Sequence, residues 1–165
     1  MKLGNSLRDP WVWGQGLLFL AVGSLPLLAR HASPGTLAGD LLLPAPFGWR
    51  LAALLVVVPG VILLLWGLVS LGPNLTPATQ PLAEGEMVER GAYRLVRHPI
   101  YAGLSLTLWG FGWFLTTPGM GAIVGAVAFG YFSRKAAVEE RWMTARFPAY
   151  EAYRRRVGKL FPRIR

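Results

Sequence analysis

From Leu51 to Leu71 the chain carries no charged residue at all. At about 1.5 Å per residue, such a run crosses the ~30 Å hydrocarbon core of a bilayer as one helix. In water a helix that is apolar all round must sit in the core of a large protein. The 165 residues here suffice for one domain and leave too little for a membrane bundle plus a separate soluble domain. The stretch begins at Trp49, has Arg50 at its edge, and carries Pro59-Gly60 in its middle. A kink there is tolerable in a membrane, where neighbouring helices satisfy the freed backbone groups.

Three further apolar stretches follow the same logic: Trp11 to about Ala29, Pro99 to Leu115, and Gly119 to about Ser133. Only Thr116-Thr117-Pro118 separates the last two, so they read as a helical hairpin whose second member continues as a charged helix through Arg134 and Lys135 to Arg146. The expected fold is an all-α membrane protein with about four transmembrane helices. It has one integral membrane domain over 1–165: an N-terminal helix pair (1–72), a cytoplasmic loop (73–98), and a hairpin with a cytoplasmic C-terminal helical extension (99–165). Gly121, Gly125 and Ala128 mark a helix-packing face. Proline punctuation over Pro73 to Pro77 predicts extended backbone, and Glu84 to Arg90 a turn or short hairpin. The first stretch has a competing reading as a cleaved signal peptide, with Lys2 and Arg8 as its basic flank.

The net charge of +9 suggests nucleic acid at first sight. The placement of the basic residues argues for a membrane surface instead. With the amino terminus inside, Lys2, Arg8, Arg90, Arg94, Arg97 and the ten basic residues from Arg134 to Arg165 are cytoplasmic. Only Arg30 and Arg50 fall outside. By the positive-inside rule, both termini and the 73–98 loop face the cytoplasm. There is no cysteine, which excludes disulfides, thiolate catalysis and Cys-based metal sites. With only His31 and His98 present, a His-based metal site has little support.

The polar chemistry concentrates in two places. In Arg97-His98-Pro99-Ile100-Tyr101-Ala102-Gly103, proline suits the first turn of a helix, so His98 stands at the helix start, where free N–H groups favour an anion. Arg97 adds a fork suited to a carboxylate, Tyr101 lies in the first turn, and Gly103 permits close approach of a ligand or a helix. The second cluster, Arg134-Lys135 to Glu139-Glu140-Arg141, ends the last long helix. The hairpin brings His98 and the Arg134 region to the same membrane level, and a basic helix start facing acidic side chains makes a cleft for a zwitterion. The plainer alternatives are basic residues that snorkel to headgroups and a solvated helix face with an i,i+4 pair between Lys135 and Glu139. Beyond Arg146, the alternation of aromatic and cationic residues through Tyr150, Tyr153 and Arg154 either lies on anionic lipid or folds back as a lid.

These residues together resemble the isoprenylcysteine carboxyl methyltransferase family and its bacterial and phospholipid methyltransferase relatives. The matching pieces are Asn74-Leu75-Thr76, Gly91-Ala92-Tyr93, Arg97 to Gly103, Glu139-Glu140, and Phe147 to Val157 with Pro162. They occur in order over about residues 70 to 163. Ala92 departs from the pattern, since such sequences usually carry proline there. The resemblance implies an S-adenosylmethionine-dependent methyltransferase in a membrane, expected to be a bacterial cytoplasmic membrane. Its acceptor is lipophilic and enters from the bilayer; membrane lipids are its other partners, and nucleic acid is not one. The residues it implies for the cofactor are Tyr93, Arg97, His98, Pro99, Tyr101, Gly103, Glu139, Glu140, Tyr150 and Arg154. Arg97, Arg134, Glu139 and Glu140 are left for catalysis, with Glu139 or Glu140 as the base for an amine acceptor. The alternatives are an NADPH-dependent enzyme like the membrane sterol reductases, against which the short chain counts, and a non-catalytic lipid-binding scaffold.

Overall fold

A computed structural model describes residues 9–76, 78–79 and 84–163. Lys2, Arg8, Pro77 and Arg165 lie outside the described residues. Helix α1 is Pro10–Ala29, α2 is Leu37–Leu42 and α3 is Phe47–Leu71, followed by a 3-10 turn at Gly72–Asn74. A second 3-10 turn, Gly91–Arg94, leads to α4 (Pro99–Leu115), α5 (Pro118–Arg146) and α6 (Tyr150–Arg156). Among the described residues there is no strand; Val96 and Gly158 form an isolated parallel bridge. Two helical stretches, Pro10–Ala29 and Phe47–Asn74, are long and apolar enough to cross a membrane.

Local chemistry sets the boundaries. The Asp9 carboxylate accepts from Trp11 N, with Pro10 in the first turn, and the Thr117 hydroxyl accepts from Met120 N ahead of α5. Gly72 ends α3 at φ 55°, a conformation glycine adopts without strain. The run expected to be extended instead begins with the 3-10 turn, because the cap N–H of Leu75 returns to the Gly72 carbonyl. Residues 84–90 form no hairpin; the Asn74 side chain accepts from Glu86 N instead. The short α2 was not foreseen; it is capped by the Thr36 hydroxyl on Gly39 N.

The packing is inverted relative to a water-soluble bundle. The buried residues of α3 are Ala53, Gly60 and Gly67, seven residues apart, while Leu55 and Val69 are 79% and 81% exposed. Large apolar side chains point outward when the surroundings are themselves apolar, and small ones let backbones approach. A Cβ on Gly103 would stand 2.5 Å from Leu64 N, and one on Gly110 2.8 Å from Val57 N. Gly121 and Gly125 of α5 lie equally close to Trp113 and Trp109 of α4, and Ala128 is fully buried, as the spacing predicts. α3 stays one helix through Pro59, which is exposed, and Gly60, which is buried against Thr107.

The four long helices run antiparallel in sequence. One end of the bundle holds the far-side loops, where Ala45 N donates to the Thr116 carbonyl and Arg50 to the Phe114 carbonyl. The other end gathers the start of α1, the 72–98 segment and everything after Ser133. Hydrogen bonds from Thr79 to Asp9, and from Lys135 to Gln15, tie α1 to this end, so the first helix is part of the fold that carries the polar cluster.

Gly103→Val is expected to lower the thermal unfolding midpoint in detergent, at a cost of about 1–3 kcal/mol or more from overpacking. Gly16→Ala, with nothing within 4 Å of its added methyl, should be neutral or stabilising. Equal midpoints for the two variants would contradict the close α3–α4 packing.

Candidate functional site

The centre of the polar end is the Glu140 carboxylate. Its Oε1 accepts from Arg97 Nε at 2.9 Å and Nη2 at 2.8 Å, and lies 3.2 Å from His98 Nε2. All three side chains are buried. Pro99 opens α4 and leaves His98 at its start, where the sequence places it. The other imidazole nitrogen, Nδ1, lies 3.6 Å from Glu139 Oε2. Glu139 also accepts a hydrogen bond from the Tyr101 hydroxyl, and the Tyr101 ring lies parallel to His98 at 5.7 Å. His98 is therefore held between two carboxylates that are adjacent on α5.

The electrostatics follow from this enclosure. Burial disfavours the Glu140 anion, yet His98 and Arg97 outweigh it and bring its pKa down to about 2. Burial likewise disfavours the imidazolium, but hydrogen bonds and charge from Glu139 and Glu140 raise His98 above its ordinary 6.5. Burial pushes the phenols of Tyr93, Tyr150 and Tyr153 up, so they remain neutral donors.

Arg97 is committed within the protein. Its Nη1 donates to the Arg154 carbonyl at 3.1 Å and to the Val157 carbonyl. Backbone pairing continues the attachment, with Arg97 N on Gly158 O at 2.8 Å and His98 N on Lys159 O at 3.1 Å. The Tyr153 hydroxyl donates to the Tyr93 carbonyl at 2.7 Å, and Lys159 Nζ to the Ser133 carbonyl at 2.7 Å. The segment after α5 is thus folded back on the site. Tyr150 and Tyr153 face inward, while Arg154, Arg155 and Arg156 are exposed on the opposite face.

A cavity of about 420 Å³ opens beside this cluster, within the range of small-molecule sites. Tyr93, Arg97, His98, Tyr101, Glu139 and Tyr150 line it, all of them expected from the sequence. Its other wall is apolar, with Phe19 of α1, Leu64 and Leu68 of α3, and Leu104 of α4.

Several expectations need correction. Gly103 packs against Leu64 and Gly60 and lines no part of the cavity, because the close approach it permits is to α3. Pro99 is buried against Gly67. Glu140 is not among the residues that line the cavity; its carboxylate faces Arg97 and His98 instead. Arg134 is exposed on α5, and the Arg154 guanidinium reaches Glu151 at 3.4 Å, leaving only its carbonyl in the cluster. Arg97 holds Glu140 and the C-terminal carbonyls in place of a free carboxylate ligand. Lys135 is turned to the interior: it is 1% exposed, lines the cavity and donates to Gln15 Oε1 at 3.0 Å.

Gln15, Thr79 and Asp9 were missed. The Asp9 carboxylate holds Thr79, a cavity residue, through its N–H at 2.7 Å and its hydroxyl at 2.8 Å. Asp-Pro ahead of an apolar run is a readable helix start, but nothing local says that the same carboxylate grips a loop seventy residues away.

Residues 49–149 match the phospholipid methyltransferase family. The chain belongs to that family. The matched region contains α4, both glutamates, Arg97 and His98, while the residues of α1 and of the C-terminal segment that complete the polar end lie outside it. Family membership with two apolar spans makes the chain a membrane protein of a methyltransferase family, which favours methyl transfer over the reductase and scaffold readings. No curated protein matches the sequence.

The opposed pKa shifts set a pH window for the cluster. Glu140 contributes stability that is complete above its ordinary 4.5 and is lost as pH falls toward about 2. His98 contributes stability that is complete below 6.5 and is lost as pH rises through its raised value. The unfolding midpoint should therefore be highest between these values. Glu140→Gln should lower it, since breaking a buried pair costs about 3–5 kcal/mol, and should flatten the acid-side fall. A pH profile identical to that of the parent protein would disprove the linkage.

Proposed function

We propose that this protein is an integral membrane methyltransferase that uses S-adenosylmethionine and methylates a lipophilic acceptor, of the isoprenylcysteine-carboxylate or phospholipid-amine kind. The observation that carries the reading is a single cavity with one polar end and one leucine-lined wall, set within the family match. A zwitterionic nucleoside and an alkyl chain need those two environments side by side.

The residues present fit the cofactor. Glu139, half-buried and already accepting from Tyr101, suits ribose hydroxyls or an ammonium, and the phenols of Tyr93 and Tyr150 are neutral donors around it. When bound, S-adenosylmethionine supplies an electrophilic methyl group for in-line displacement. The chain's part is to align and to exclude water. The stack of His98 on Tyr101 and the C-terminal segment fastened by Arg97 keep the polar end rigid and closed. A carboxylate acceptor needs no base; for an ammonium acceptor Glu139, free of the Arg97 pairing that ties up Glu140, takes the proton.

In this reading α1, α3, α4 and the first half of α5 span the bilayer. The charged end of α5 and the segment to residue 163 lie on the cytoplasmic side, as the distribution of Lys and Arg supports.

S-adenosylhomocysteine is expected to bind the purified full chain in calorimetry, and His98→Ala or Glu139→Ala to weaken it about tenfold or more, roughly 1.4 kcal/mol per decade. Labelled methyl should pass from S-adenosylmethionine into a membrane lipid extract. Full-strength binding by both variants would sink the site; NADPH binding without S-adenosylhomocysteine binding would sink the reaction.

A further inference from the structure

The segment from Gly158 to Arg163 has two faces. Leu160 is buried and packs inward with Val96 and Ala102, and the carbonyls of Gly158 and Lys159 receive the N–H groups of Arg97 and His98. A Cβ at Gly158 would collide with the Phe161 carbonyl, so the backbone doubles back there in a turn that only glycine fits. On the other face, Lys159 is half-buried, and Phe161 and Arg163 are exposed. The Lys159 amine donates to the Ser133 carbonyl of α5 at 2.7 Å, and the Arg163 guanidinium donates to the Arg155 carbonyl of α6. The Phe161 ring lies 5.0 Å from the Phe129 ring of α5, centre to centre.

Phe161 is 64% exposed although its side chain is large and apolar. Exposure of that kind is costly in water and not in hydrocarbon. Phe129 precedes Ser133 by one turn of α5, so the Phe161 contact lies about 6 Å deeper along that helix than the Lys159 contact. An aromatic ring one turn below cations is the arrangement of a segment seated where hydrocarbon meets headgroups. The bond to Ser133 uses one of three ammonium donors of Lys159, and the bond to Arg155 uses one of five in the Arg163 guanidinium. The remaining donors suit a phosphate, and the charge of an anionic headgroup complements them. A choline headgroup offers the same phosphate but brings a cation of its own.

We propose that Lys159, Phe161 and Arg163 form a binding site for one anionic lipid of the leaflet next to the polar end. The two cations hold its phosphate, and its acyl chains begin against Phe161. The site occupies the outer face of the segment whose inner face pairs with Arg97 and His98, so a bound lipid fastens that segment over the polar end. This rests on the proposed function only in placing the first half of α5 in the bilayer.

The test titrates the full chain, in a neutral detergent, with phosphatidylglycerol or phosphatidylcholine of identical acyl chains and follows the thermal unfolding midpoint. Phosphatidylglycerol should reach half its effect at about tenfold lower concentration, and high salt should shrink the difference. Lys159→Gln combined with Arg163→Gln should bring the two lipids within about twofold of each other. Arg90→Gln combined with Arg141→Gln removes the same charge from exposed positions elsewhere at this end and should keep the preference. Phe161→Ala should weaken both lipids. If the first double variant fails to fold, Arg163→Gln alone carries the test and should lower the preference about threefold. Unchanged preference in the Lys159 and Arg163 variants overturns the site. Equal losses in the two double variants also overturn it, since they mark a diffuse basic surface, and so does an equal effect of inorganic phosphate. S-adenosylhomocysteine, followed by calorimetry, should bind the parent severalfold more tightly with phosphatidylglycerol present, and lipid-independent binding overturns the fastening. If S-adenosylhomocysteine does not bind at all while the lipid preference still depends on Lys159 and Arg163, the lipid site stands and the methyltransferase reading falls.

Discussion

One carboxylate holds the polar end of this protein together. Glu140 takes two N–H groups of Arg97 and lies within reach of His98, and through Arg97 it fixes the carbonyls of Arg154 and Val157. Three parts of the chain meet there: the start of α4, the outer half of α5, and the segment after α6. An ion pair out of water is stable only when its remaining donors and acceptors are also satisfied; the Arg154 and Val157 carbonyls do this for Arg97 Nη1, and the backbone pairing of 96–98 with 158–159 holds those carbonyls nearby. The inward-facing tyrosines of α6 owe their position to this attachment.

The rest of the bundle obeys a different constraint. Within the apolar stretches, burial selects small side chains, and the large ones form the outer surface. Glycine-lined contacts bring the backbones of α3 and α4 close together. The open volume lies beyond these contacts, at the end where α1, α3 and α4 meet the charged half of α5. A pocket formed at that junction has leucines on one side and ionised groups on the other, because it is bounded by both kinds of helix surface.

The sequence revealed which residue types matter more readily than what each does. Pro99 as a helix start, His98 beside it, and the approach of Glu139 and Glu140 were all legible, because each depends on local backbone rules and one tight turn at 116–118. Roles were harder. Arg97 and Glu140 looked like two separate receptors for a ligand, and they are each other's partners across forty-three residues. Lys135 and Glu139 have the spacing of a surface pair, but the face they share is turned to the interior, where Lys135 also meets Gln15 of α1. Gly103 permits close approach, as any glycine does; only the position of α3 shows that a helix is what approaches.

By itself the sequence determined that the chain is helical, that it is apolar enough for a bilayer, and that its charges gather toward one end, since hydrophobic length and charge placement are additive properties of the chain. The tertiary structure decided which charges face one another, that α1 contributes Asp9 and Gln15 to the polar end, and that the C-terminal segment closes over it. Those outcomes depend on the rotation and register of packed helices. A rotation of about 100° per residue separates an exposed Arg134 from a buried Lys135, and composition carries no record of it.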